Sequence, residues 1–143
     1  MAAIWASVLV VVLLLAGCGA RDREAQARVV VEGYFQAVKA RDLDRAVTFF
    51  APDYLETRSI EGLKQDLRII AARLGDLQSY RLTAARWRTD LIPPESGTHV
   101  TLEYQVRYAT HPAREIFTIH KPFGRGEYKI SGYHIVSEGF LRE

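Results

Sequence analysis

The hydrophobic period of this chain changes once, at Gly75. Before it, apolar residues recur three and four positions apart, the spacing of one face of a helix. After it they alternate with polar residues, the spacing of one face of a strand. Ala27, Val30, Val31, Tyr34, Phe35 and Val38 form the first stripe, with Glu24, Arg28, Glu32, Gln36 and Lys39 on the wet side. Asp42 is placed to cap a second, short helix that turns Leu43, Ala46, Val47 and Phe50 inward. Pro52 is expected to end it, leaving 54–57 as a short extended piece. Ser59 then caps a third helix carrying Ile60, Leu63, Leu67, Ile70, Ala71 and Leu74, although Gly62 stands where a capping box would have Glu. Gly75 suits the left-handed stop that follows a helix.

Four strands are expected beyond Gly75. Residues 77–88 read as a long strand with a bulge at Ala84-Ala85 that switches its faces. Residues 90–97, with Pro93-Pro94 and Ser96-Gly97, form a connection. Val100, Leu102, Tyr104, Val106 and Tyr108 alternate without interruption with Thr101, Glu103, Gln105 and Arg107. His111-Pro112 turns this strand into 114–121, a tight connection follows at 123–126, and 128–140 is the last strand. Gly132 inside it marks a bulge or a close backbone approach. Helices followed by a meander predict an α+β fold, with three N-terminal helices packed on a curved antiparallel sheet.

The N-terminus carries a different signal. Ile4, Trp5 and the run from Val8 to Leu15 form an uncharged apolar block shorter than the about 20 residues a bilayer-spanning helix needs. It closes on Leu15-Ala16-Gly17-Cys18, which resembles the lipobox of bacterial lipoproteins. The resemblance implies a signal peptide over 1–17 and cleavage before Cys18. The cysteine would then be acylated, and a short tether over 18–23 would lead to a domain over 24–143. Met1-Ala2-Ala3 departs from the pattern in having no Lys or Arg. Cys18 is the only cysteine, so a disulfide, a thiolate metal cluster or a dithiol redox pair within one chain is excluded, and acylation would consume the thiol. Two or three acyl chains hold a protein to a membrane, at about 0.8 kcal/mol per buried CH₂. The expected location is the cell envelope, on the outer membrane facing the periplasm if the host is Gram-negative, since Gly19 replaces the aspartate familiar as an inner-membrane retention signal.

The domain resembles the nuclear-transport-factor-2-like superfamily, the cone-shaped fold shared by SnoaL-type cyclases and ketosteroid isomerases. The residues that carry this are 29–38 (VVVEGYFQAV), 40–47 (ARDLDRAV) and 50–54 (FAPDY). The resemblance implies a pocket between sheet and helices, whose expected wall is Tyr34, Trp87, Tyr104, Tyr108, Phe117 and Tyr133, with His134 on the same side. Core filling is the competing role for these aromatics. Enzymes of the superfamily set an acid or His against a tyrosine or protonated carboxyl. Asp53 stands near the pocket mouth but suits a turn, Glu103 should point away, and His120 and His134 are lone strand histidines. No acid–base set is recognised, and the catalytic assignment is none.

Other classes fall away. His99, His111, His120 and His134 show no metal-ligand spacing, no phosphate loop or dinucleotide fingerprint is present, and no cofactor is expected. A formal net charge of +2 is too balanced for a nucleic-acid binder. Arg81, Arg86, Arg88 and Arg107 are expected to form a basic strip on the outer sheet face. That face also carries Thr101, Glu103 and Gln105, and its polarity suits a monomer as well as a homodimer. The expectation is a non-catalytic, lipid-anchored envelope protein that binds a small apolar ligand or a protein partner near the membrane. The alternatives are a ketosteroid-isomerase-like or SnoaL-like enzyme, with His134 or Asp53 as base, and a structural accessory subunit of an envelope complex.

Overall fold

A computed structural model describes the backbone of residues 2–124 and 126–141 and, from residue 21 on, their side chains. Helices α1 (Ala2–Lys39), α2 (Leu43–Val47), α3 (Pro52–Arg58) and α4 (Ile60–Leu74) precede strands β1 (Leu77–Asp90), β2 (Gly97–Tyr108), β3 (Pro112–Pro122) and β4 (Lys129–Val136). The strands form one antiparallel meander in the order β1-β2-β3-β4, followed by a 3-10 turn, Glu138–Phe140. Helices on the N-terminal side of an antiparallel sheet make this an α+β fold.

The expected apolar stripe seats α1 on the sheet: Ala27, Val31, Tyr34 and Phe35 are buried. Phe35 stacks on Tyr80 (centroids 4.4 Å apart) and meets Tyr104 and Phe117 edge-on. The residues expected as a tether, 20–23, continue α1 without a break, and Cys18 falls within its range with its side chain outside the described residues. Among the described residues no helix is long and apolar enough to cross a membrane. At the end of α1 the chain reverses through Arg41 (φ 57°), and Asp42 caps α2 by accepting from the Arg45 N–H at 3.0 Å. The Arg41 guanidinium holds both Asp76 carboxylate oxygens at 2.7 Å, tying this corner to the start of the sheet.

Two expected segments differ. Residues 54–57 are helical rather than extended, because α2 already ends at Val47 and Pro52, expected to end it, instead starts α3. Its fixed φ and missing N–H cost nothing in a first helical turn. The extended contact lies just before it: Phe50 bridges Ile130, with the Ala51 N–H donating to Ile130 O and the Ile130 N–H to Phe49 O, each at 2.8 Å. The last strand stops at Val136 rather than Phe140. Ser137 donates to Pro112 O (2.7 Å) and accepts from the Gly139 N–H (3.1 Å), which turns the chain into the 3-10 turn.

The cap and bulge signals from Ser59 onward are in place, while the expected tight connection at 123–126 includes Arg125, outside the described residues. Ser59 Oγ accepts from the Gly62 N–H at 3.0 Å, and a Cβ at 62 would stand 2.9 Å from that hydroxyl, so Gly rather than Glu occupies the position. Gly75 (φ 87°) ends α4. In β1 the face switch falls at Thr83, beside the expected Ala84-Ala85, and a second irregularity falls at Gln78. In β4 the extra residue is Ser131, next to Gly132, where a Cβ would approach Thr118 Cβ at 3.2 Å.

Candidate functional site

In β3 the residues Ala113, Glu115, Phe117 and Ile119 alternate inward, and this alternation carries a carboxyl into the core. Glu115 is fully buried (0% exposed). The Tyr108 hydroxyl, from β2, donates a short hydrogen bond to one carboxyl oxygen, and the Tyr133 hydroxyl, from β4, donates to the other at 3.1 Å. Tyr34, from α1, completes the cluster through its interaction with Tyr133. Burial pushes the Glu115 carboxyl up to about 7, against the two tyrosine hydrogen bonds that favour its charged form. Burial first, and the Glu115 charge second, push Tyr34, Tyr108 and Tyr133 well above the usual phenol range, so all three remain protonated donors at neutral pH.

Two clefts flank this cluster. The larger, about 740 Å³, opens between α3, α4 and the β4 edge, with Tyr54, Ile69, Ile70, Tyr133, Ile135 and Phe140 as its apolar wall. Asp53, Thr57 and the Arg58–Asp66 ion pair (Nε to Oδ2, 2.6 Å) form its polar side. The smaller, about 360 Å³, lies between α1, α2 and α4 and reaches Tyr34, Leu67, Ile70 and Tyr108. Ile70 borders both. Glu115 lines neither: the tyrosines stand between its carboxyl and each opening. No known protein family, curated protein or solved structure matches this chain. The chemistry of the site therefore rests on its own geometry.

The residues expected to wall one pocket divide among three places. Tyr34, Tyr104, Tyr108 and Phe117 are buried and pack together as core, with Tyr34 and Tyr108 also at the margin of the smaller cleft. The Tyr104 hydroxyl makes no hydrogen bond: Arg28 is nearby but outside hydrogen-bond geometry, and burial pushes the phenol up to about 12. Tyr133 is half-buried and lines the larger cleft. Trp87 pairs with Val100 on the inner face but lies beyond the core, half exposed, under the Arg23 guanidinium at 4.6 Å. At that level α1 presents charge instead of an apolar stripe.

His134 was expected to share the inner side with Ile130, and it does not. The extra residue Ser131 reverses the alternation, so Tyr133 pairs with Phe117 inside while His134 pairs with Ile116 on the outer face, touching the larger cleft only at the β4 edge. Asp53 sits in the first turn of α3 and borders the larger cleft. Glu103 points outward as expected and pairs with Arg114 at 3.4 Å. His120 is also outside, its ring stacked 4.3 Å from that of His99. Among the described residues no group of ligating side chains is arranged for a metal. Arg81, Arg86, Arg88 and Arg107 share the outer face and are exposed.

Sequence reasoning missed Glu115. The signal was an acidic residue in phase with Ala113, Phe117 and Ile119, although phase alone names neither the sealed core nor the tyrosines that meet the carboxyl.

Proposed function

We propose that this chain is a lipid-anchored cell-envelope protein whose domain, of the nuclear-transport-factor-2-like kind, binds a small and largely apolar molecule without transforming it. The anchor is Cys18, on the strength of the Leu15-Ala16-Gly17-Cys18 motif and the apolar run before it. The binding place is the larger cleft, where an aliphatic and aromatic wall faces a few polar groups, the composition of small-molecule sites. One observation carries the preference for binding over catalysis: Glu115 has no exposed surface and both its oxygens already accept hydrogen bonds, so it holds the tyrosines in place and meets no substrate.

Native mass spectrometry of the full chain, extracted from its host membrane in mild detergent, tests this. The wild type is expected to retain a small molecule, and Thr57→Trp, which narrows the cleft from an exposed helical position, to lose it with unchanged circular dichroism. Equal occupancy in both proteins, or none in either, removes the support for a binding cleft.

A second reading rests on Asp53 and the Tyr133 side chain lining the same cleft. A carboxylate base and a phenol donor are the pair a ketosteroid-isomerase-like enzyme uses, and here the Tyr133 hydroxyl would have to turn from Glu115 to the substrate. It requires that a β,γ-unsaturated ketosteroid be converted to its conjugated isomer, followed by ultraviolet absorbance, and that Asp53→Asn abolish the conversion. No conversion by the wild type leaves the binding role alone.

A further inference from the structure

The two loops at one end of the sheet carry large apolar side chains that the fold leaves uncovered. Leu91 and Ile92, in the β1–β2 connection, are 78% and 79% exposed, and Phe123, in the β3–β4 connection, is 51% exposed. The antiparallel order brings both connections to the same end, since Gly97 of β2 pairs with Pro122 of β3. The half-exposed Trp87 stands on β1, four residues before Leu91. Leu91 and Ile92 are not collapsed onto the sheet, because their loop is held from its other side. The His99 Nε2 bonds Glu95 O at 2.8 Å, and the His120 Nε2 bonds Ser96 O at 3.2 Å, from two rings stacked on the outer face.

Helix α1 approaches from this same end. Arg23 lies over Trp87 near the top of β1, whereas Gln36 Nε2 bonds the Tyr80 hydroxyl at 2.8 Å near its bottom, so α1 runs against β1. Tyr128, in the β3–β4 connection, also feels the charges of Arg23 and Asp22. The residues before Arg21, which include the whole uncharged apolar run and Cys18, therefore join the domain beside the two apolar loop tips. At about 1.5 Å per helical residue, Cys18 is only about 8 Å from Arg23 along the helix path.

We infer that this end of the domain rests on a lipid bilayer, with Leu91, Ile92 and Phe123 dipping into the interface and Trp87 and Arg23 at headgroup level. Aliphatic tips flanked by an aromatic ring and an arginine suit that boundary, where apolar groups enter the acyl region and guanidinium groups reach the headgroups. Charge does not select an acidic partner, because Arg21, Arg23 and Arg88 are matched by Asp22, Glu24 and Asp90. The membrane is favoured over a protein partner because Cys18, the proposed anchor, enters at this end, close to Arg23. The loop placement rests on the anchoring reading, and the experiment distinguishes it from acylation of Cys18.

The test uses full chains purified from the expressing bacterium and reconstituted in phosphatidylcholine vesicles containing phosphatidylglycerol. A thiol-reactive bimane is placed at Leu91→Cys or, at the opposite end, at Ala109→Cys, both exposed positions. Before any vesicle is added, reaction of the wild-type chain with bimane reports whether Cys18 is already acylated. If it is not, both variants are made with Cys18→Ser. Binding to unlabelled vesicles is expected to blue-shift the emission at position 91, and lipids spin-labelled near the headgroup to quench it, with the emission at 109 unchanged by either. Equal emission at the two positions overturns the inference. Shielding of position 91 from aqueous iodide without quenching by the lipids also overturns it, in favour of a protein partner.

Discussion

Glu115→Gln tests the buried carboxyl most directly. The folded protein holds this carboxyl at about 7, above its ordinary 4.5, because the core penalises the charged form. A group raised in this way binds its proton more tightly in the folded state than in the unfolded one. Stability is therefore full below about pH 4.5, declines as pH rises towards 7, and levels off above it. At about 1.4 kcal/mol for each pKa unit, the whole decline is about 3 kcal/mol. Glutamine has nearly the same shape and does not titrate, and the tyrosine hydroxyls can rotate to meet its amide. Chemical denaturation of wild type and variant at matched pH values isolates the effect, because every other titrating group cancels in the difference. The variant is expected to gain about 3 kcal/mol relative to the wild type between pH 4.5 and 8. A difference that stays constant across this range would refute the claim that burial raises the Glu115 carboxyl.

Three further outcomes follow from particular contacts. Tyr104→Phe removes a buried hydroxyl that has no hydrogen-bond partner, so denaturation should show no loss and a gain of up to about 1 kcal/mol. Gly139→Ala sets a methyl group against Leu74 and His111 in a buried turn and should cost about 1–3 kcal/mol by the same assay. Cys18→Ser should abolish the acyl mass on the chain and move the protein from the membrane to the soluble fraction. Continued membrane retention of a chain trimmed at the same point would overturn the lipobox reading.

The local grammar of the chain was legible because it depends on neighbours in sequence. Asp42 and Ser59 cap the helices they precede, Gly75 ends α4 with a positive φ, and the 3.6-residue stripe of 27–38 is the face α1 buries. The alternation through Tyr108 is the buried face of β2 for the same reason. Pro52 was ambiguous on these terms, since a proline ring can stop one helix or open another, and here it only opens α3, α2 having ended at Val47. The choice came from the bridge between Phe50 and Ile130, across the chain.

The candidate site was less legible, because it depends on parity and on distant pairing. One extra residue, Ser131, sends Tyr133 inward and His134 outward, and whether a bulge absorbs that residue is settled by the register against Thr118. Local sequence, by itself, determined the order of helices and strands, their caps and the apolar end that leads to Cys18. Only the tertiary structure decided that Glu115 meets Tyr108 and Tyr133, because a buried carboxyl is stabilised by groups from separate strands that the sheet brings together.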